Sequence, residues 1–333
     1  MRKIALVSTG GTISMKNDQS GHAMPALGAK EFIESLTEIG TGIQLDDVEF
    51  KKIPSAHMTQ QDLIQLRDLV LSLEAQQYDG IVITHGTDTM EETAYFLDLT
   101  TSMQIPLILT GAQRNLSTLG SDVFLNISDS VRVAADPGAH EMGVLIVFAS
   151  EIIPAREATK VHRTQVNTFR SLEFGPIGTV DNGRVLWHRK PMMRDVYLAR
   201  EFQQITVDII VSCLGGDSRQ LKHAVNDQVK GIVVQGLGAG HLPEAMIEGI
   251  EEAVAADIPV VLTSRTYMGR FLTSTYGYRG SEKHLKELGV IFGEDITTQK
   301  ARIKLMVLLS MGFNSQEIAR EFEKHHYLTN ATV

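Results

Sequence analysis

Short apolar runs alternate with amphipathic stretches along most of this chain, and the alternation sets the order of its elements. Lys3 to Val7 and Gly80 to Ile83 are apolar runs that end in glycine turns, the mark of buried strands. Between them the pattern predicts a short helix from about Ala29 to Leu36 and a strand from about Val48 to Ile53. A second helix starts after Thr59, where Thr59 and Asp62 form a helix-start pair and Leu63, Leu66, Val70 and Leu73 recur at helical spacing. Ser14 to Pro25 is polar and without a period, so it reads as a loop, either a solvated connection or one placed to close over a ligand at the first turn. Beyond Ile83 the pattern predicts a helix to about Leu99, a strand at Pro106 to Leu109, a helix around Asp122 to Ala134 and a strand at Gly143 to Phe148. Glu151 to Thr168 is mixed and polar. Ile177 to Val180 and Arg184 to Trp187, joined by Asp181-Asn182-Gly183, predict a hairpin that closes this half of the chain.

His188 to about Thr206 has no clean period and reads as a linker, placed at residues 191–206. A second alternating series follows, with strands at Val207 to Val211, Gly231 to Val234, Pro259 to Leu262 and around Val290 to Phe292. Helices are predicted near Pro243 to Ala255 and Thr298 to Leu309, and a last one from Asn314-Ser315-Gln316-Glu317. Alternating strands and helices imply parallel sheets covered on both faces. The predicted fold class is therefore α/β with two domains: a larger N-terminal one, residues 1–190, on a mostly parallel sheet, and a smaller C-terminal one, residues 207–333, on a parallel sheet. Gln235 to His241 is a glycine turn after a strand, but no acid at the distance a dinucleotide fold requires accompanies it.

Two stretches stand out chemically: Ser8-Thr9-Gly10-Gly11-Thr12-Ile13-Ser14, and Thr84-His85-Gly86-Thr87-Asp88-Thr89-Met90-Glu91-Glu92-Thr93. Each follows a buried strand, and strand ends are where α/β folds place ligands. Glycines let the backbone turn sharply and leave N–H groups for an anion, while threonine hydroxyls are potential nucleophiles. Taken singly, such a turn is shared by phosphate loops and plain connections. Asp88 and Glu91 are equally the acids that a helix dipole favours in a first turn.

Together these stretches are similar to the two signatures of the bacterial-type L-asparaginase and glutaminase-asparaginase family. A third block, Ala158 to Thr164 followed by Phe169-Arg170-Ser171 and Gly175-Pro176-Ile177-Gly178, resembles the segment carrying that family's catalytic lysine, and Thr298-Gln299-Lys300-Ala301-Arg302 fits a further family pattern. The resemblance spans essentially the whole chain. It implies hydrolysis of L-asparagine to L-aspartate and ammonia without a cofactor, in an intimate dimer usually paired into tetramers. A rival on the same scaffold is a non-catalytic amino-acid-binding protein, and glutamine is the competing substrate.

The resemblance also implies residue roles. Thr12 is the nucleophile, and Thr87, Asp88 and Lys160 form a second catalytic group in which a lysine of lowered proton affinity accepts a hydroxyl proton. Which threonine attacks first is left open. Ser55 binds the substrate α-carboxylate, Asp88 is the buried negative partner of the α-amino group, and Gly11, Gly86 and Ala112 complete the substrate-binding set. The family's lid carries a tyrosine, for which this chain has His22, and the glutamine that follows the carboxylate-binding serine is replaced by Ala56. The family site also takes an acid from a neighbouring subunit, and Tyr276 to Gly280 holds no clear match for it.

Composition narrows the alternatives. Of 333 residues, 31 are basic and 40 acidic, a net charge of −9, which argues against a nucleic-acid surface and for a small-molecule substrate. Eleven histidines are scattered without metal-ligand spacing, so no metal site is expected, and the absence of a Gly-x-Ser-x-Gly elbow argues against a Ser-His-Asp hydrolase. The single cysteine, Cys213, sits in an apolar run and reads as a small buried hydrophobe in a reducing compartment. The apolar start is interrupted by Ser8-Thr9-Gly10-Gly11 before a cleavable leader forms, and no stretch reaches the ~20 apolar residues of a membrane span. A cytoplasmic location with no membrane partner is the expectation.

Overall fold

The computed structural model describes residues 1–11, 13, 15–17, 23–25, 42–191 and 194–324, with only the backbone of 15–17 and 23–25. The predicted helix at 29–36 and the two candidates Thr12 and His22 lie outside the described residues. The chain divides into two compact units, Met1–Leu198 and Ala199–Val333.

The first unit is built on Arg2–Ser8 (β1), whose inner residues are fully buried. Met15–Asn17 (β2) and Ala23–Pro25 (β3) pair antiparallel, so part of the stretch predicted as loop is a small ribbon. Ile43–Glu49 (β4) pairs parallel with β1. It begins five residues before the strand predicted at Val48, because Gln44, Asp46 and Asp47 on this outer strand mask the alternation. The N–H groups of Phe50, Lys51 and Ile53, predicted as strand, instead bond the Ser8 and Thr9 carbonyls as the chain crosses the end of β1. Gln60–Ala75 (α1) starts with the predicted box: Thr59 Oγ1 accepts from the Asp62 amide at 3.2 Å, and Asp62 Oδ2 accepts from the Thr59 amide at 2.8 Å.

Gly80–Thr84 (β5), Met90–Thr100 (α2), Leu107–Thr110 (β6), Val123–Ala135 (α3) and Val144–Phe148 (β7) follow the predicted order. Glu151–Pro154 (β8), Ala158–Lys160 (β9) and Phe169–Ser171 (β10) lie within or just after the stretch that reads as mixed and polar, and Gly178–Asp181 (β11) with Arg184–Trp187 (β12) forms the predicted hairpin. Among the described residues, eight strands make one sheet in the order β12-β11-β8-β7-β6-β5-β1-β4. It is parallel from β7 to β4 and antiparallel from β7 to β12. Ile4, Leu6, Val82, Ile108, Leu145 and Val147 pack on Val123, Ile127 and Val131 of α3, while their neighbours Ala5, Val7, Ile81, Ile83 and Leu109 are buried on the opposite face. Burial on both faces explains why these strands read as continuous apolar runs.

The second unit holds a parallel four-stranded sheet, Val207–Val211 (β13), Gly231–Gly236 (β14), Val260–Ser264 (β15) and Ile291–Phe292 (β16), in that order. Its helices are Arg219–Asn226 (α4), Ile247–Ala255 (α5), Glu282–Glu287 (α6), Thr298–Ser310 (α7) and Ser315–Phe322 (α8). The short α4 and α6 do not stand out in the sequence pattern. Cys213 is exposed, against its reading as buried. It lies in the turn that leaves β13, an edge strand whose Ile209 and Val211 already face solvent, so no neighbouring strand covers the thiol.

Candidate active site

Register brings the glycine turns together. Ser8 aligns with Glu49 on one side and with Thr84 on the other, and Thr84 aligns with Thr110, so β4, β1, β5 and β6 end at one level. The four connections that leave them carry Thr9-Gly10-Gly11, Ser55, His85-Gly86-Thr87-Asp88 and Gly111-Ala112. The strand ends are stitched together: the Thr9 amide and hydroxyl both donate to the Thr84 carbonyl, at 3.1 and 3.0 Å, and the His85 amide donates to the Thr110 carbonyl at 2.8 Å.

The approach of these turns depends on absent side chains. A β-carbon on Gly11, whose φ is +82°, would stand 2.5 Å from the Gly86 Cα, and one on Gly86 would stand 2.6 Å from Ser55 Oγ. A β-carbon on Gly111 would meet the His85 carbonyl oxygen at 2.5 Å and the Thr87 methyl at 3.3 Å. The first and second signatures, Ser55 and the turn before Ala112 therefore share one small volume. Ser55 and Thr87 are buried there, and the Thr89 hydroxyl donates to the Ser55 carbonyl at 2.8 Å, tying the two turns.

Lys160 enters from β9. Its ammonium donates to Thr87 Oγ1 at 2.9 Å and to Asp88 Oδ1 at 2.7 Å, while its backbone N–H donates to Glu91 Oε2 at 2.6 Å. Thr87, Asp88 and Lys160 are thus assembled as one hydrogen-bonded group. The side chain of Asp88 is 69% exposed; it stands past the end of β5 and before α2, on the outer side of the lysine.

Two supports were not legible as functional. His85 is fully buried beneath the second turn; its Nδ1 contacts the Gly86 carbonyl at 2.7 Å and its Nε2 the Thr93 hydroxyl at 3.1 Å, and burial pushes the imidazole down to about 4. Asn126 of α3, also fully buried, donates to the Gly111 carbonyl at 2.9 Å and to Asp122 Oδ2 at 3.0 Å, and accepts from the Ala149 amide at 3.0 Å. Asp122 in turn accepts from the Gln113 and Arg114 amides, so α3 clamps the turn that carries Ala112. In the sequence His85 hides within a signature, and Asn126 sits at an ordinary helical position.

In the second unit, Tyr276 to Gly280 precedes the fully buried Glu282, whose Oε1 accepts the amides of Thr275 and Tyr276, each at 2.7 Å. Its other oxygen lies 3.3 Å from His241 Nε2, and His241 Nδ1 lies 2.8 Å from the Tyr278 hydroxyl. Glu282 is the first residue of the short α6, where a single acid gives no pattern. Among the described residues no group of three or more His, Cys, Asp or Glu is arranged to hold a metal ion, and no helix is long and apolar enough to cross a membrane.

Residues 3–193 match the family model "Asparaginase, N-terminal", and residues 206–322 match "Glutaminase/Asparaginase C-terminal domain". The L-asparaginase of Bacillus licheniformis is 38% identical over 93% of this chain and 96% of its own length. A glutaminase-asparaginase of Pseudomonas aeruginosa is 29% identical over 97% of this chain and 90% of its own. Among solved structures, the probable cytoplasmic L-asparaginase of Campylobacter jejuni superposes with a TM-score of 0.87 at 30% identity, covering 98% of this chain and all of that one. The match runs through both halves in chain order, and the chain belongs to the glutaminase/asparaginase family.

Proposed function

We propose that the protein is an L-asparaginase, an amidohydrolase that converts L-asparagine to L-aspartate and ammonia by threonine nucleophilic catalysis. The observation that carries this reading is the placement of the Lys160 ammonium 2.9 Å from Thr87 Oγ1, in a turn packed against Gly11, one residue before Thr12. In the reaction a threonine oxygen, assigned to Thr12, adds to the side-chain amide carbon while the Thr87–Lys160 pair takes up the proton released along the hydroxyl relay. Collapse of the tetrahedral intermediate expels the amide nitrogen, which leaves as ammonia with a returned proton, and water then cleaves the ester to give aspartate. N–H groups freed by the glycine turns stabilise the oxyanion. Ser55 holds the substrate α-carboxylate, Asp88 the α-amino group from the solvent side, and Gly11, Gly86 and Ala112 line the remainder.

Catalysis is assigned to residues 1–190, followed by a linker at 191–206 and the second domain at 207–333. The assembly is a homo-oligomer, a dimer or a dimer paired into a tetramer, acting in the cytoplasm. A glutaminase-asparaginase among the relatives keeps glutamine as the competing substrate. Ammonia release from L-asparagine and L-glutamine by the purified protein tests the reading. Release from asparagine above the rate without protein is the expected result, and binding of asparagine with no release would make the protein a binder instead.

A further inference from the structure

One buried acid in this site has no part in the chemistry above. Glu91 lies in the first turn of α2, is 7% exposed, and accepts the backbone N–H of Lys160 at 2.6 Å. A carboxylate in a first helical turn is favoured by the helix dipole, but Glu92 stands in the same turn, and a dipole does not require the acid to face the strand that carries the lysine. That strand needs support. The β9–β10 ladder is three residues long with Lys160 at its end, paired to Phe169, and so short a ribbon does not hold a side chain to hydrogen-bond tolerance by itself. Helix and strand are joined twice: Glu91 grips the Lys160 amide, and the Lys160 ammonium reaches back to Thr87 and Asp88 just before the helix.

We propose that Glu91 is a positioning residue of the hydrolytic site, which holds Lys160 by its own backbone amide and so fixes where its amine meets Thr87. The inference rests on the reading of Lys160 as the proton acceptor. The amide that Glu91 holds and the amine that reaches Thr87 belong to one residue at the end of a short ladder, so a slip of the strand carries the amine off its 2.9 Å contact.

The test pairs Glu91→Gln, which keeps the volume and a carbonyl acceptor but removes the charge, with Glu91→Ala, which removes both. Glu91→Gln, whose amide oxygen can still accept the Lys160 amide, should keep most of the wild-type kcat for asparagine. The 13Cε signal of Lys160, assigned by its loss in Lys160→Met, should hold its position in Glu91→Gln and shift in Glu91→Ala. Glu91→Ala should lower kcat on the order of 100-fold with KM little changed, as misplacement of a catalytic group does. Thermal unfolding of both variants separates misfolding from misplacement. Wild-type kcat in Glu91→Ala, an equal loss of kcat in the two variants, or a Glu91→Ala defect confined to KM would overturn the proposal. If the wild-type protein releases no ammonia, or Lys160→Met keeps turnover, the base reading fails instead, and the 13Cε signal still decides whether Glu91 holds Lys160 in place.

Discussion

Gly11 and Gly86 lie back to back: a β-carbon on Gly11 would stand 2.5 Å from both the Cα and the amide nitrogen of Gly86. The contact is between main chains, so no rotamer change relieves it. Gly11→Ala should therefore displace the second signature, cutting asparagine turnover at least ~100-fold and lowering stability by a few kcal/mol. Gly215→Ala is the comparison, because Gly215 also has positive φ, +75°, but nothing within 4 Å of its added carbon. It should cost only about 1 kcal/mol and leave turnover intact. Ammonia-release assays and urea titrations of the two variants check this, and equal losses in both would mean that φ strain, not the Gly11–Gly86 contact, is what matters.

Thr12→Ala, Thr87→Ala and Lys160→Met should each reduce turnover by about 100-fold to 10,000-fold while the protein stays folded, since all three are assigned to one relay. The double variant Thr87→Ala with Lys160→Met should be little worse than either single one, because groups that act as a unit do not contribute additively. Steady-state kinetics on the set decides it. Multiplicative losses would show that Thr87 and Lys160 act separately, despite the 2.9 Å between them.

His85 gives the fold a pH dependence of known sign. Burial lowers its folded-state pKa from about 6.5 to about 4, so between those values the unfolded chain binds a proton that the folded protein does not. Its contribution is fully present above about pH 6.5 and is lost as the pH falls toward 4, by up to about 3 kcal/mol at most. Urea midpoints from pH 7 to pH 4 should fall more steeply in the wild type than in His85→Gln, which has no proton to gain. Parallel curves would remove His85 as the source.

Selectivity should follow the residue after Ser55. Ala56 is exposed and cannot make the bond to the substrate's α-groups that the family resemblance implies for a glutamine at this position, a loss of around 1 kcal/mol. Glutamine, longer by a methylene, tolerates looser anchoring least if its amide is still to meet the nucleophile. The protein should hydrolyse asparagine with little glutaminase activity, and Ala56→Gln should move the ratio of kcat/KM values toward glutamine. Comparable efficiencies for both amides in the unmodified protein would refute the first expectation, and an unchanged ratio in the variant the second.

Local order was largely legible in the sequence because local interactions produce it. Thr59 with Asp62 and Asn314 with Glu317 satisfy their helix-start amides from within four residues, the first as the predicted box and the second at a predicted helix start. The hairpin at Asp181-Asn182-Gly183 announced itself through residues that accept positive φ, found at Asn182 and Gly183. The turn between β7 and β8 did not. Ala149 and Ser150 both have positive φ, 50° and 62°, without a glycine or asparagine to signal it, because side chains of α3 hold them: Asn126 accepts the Ala149 amide and Asp129 accepts the Ser150 hydroxyl at 2.8 Å. That turn reverses the sheet from parallel to antiparallel and sends the chain toward β9 and Lys160.

The sequence by itself determined the two α/β halves, the glycine turns at strand ends and the residue types that make an amide-cleaving site conceivable, since period, caps and turn residues act over a few positions. Only the tertiary structure decided what those residues touch. Strand register brings Gly11, Ser55, Gly86 and Gly111 to one edge, and a ribbon distant in sequence delivers Lys160 to Thr87. The edge position of β13 leaves Cys213 exposed although its neighbours are apolar, and the end of β5 leaves Asp88 facing outward. Each outcome depends on which element lies next to the residue in space, and spacing along the chain carries no such information.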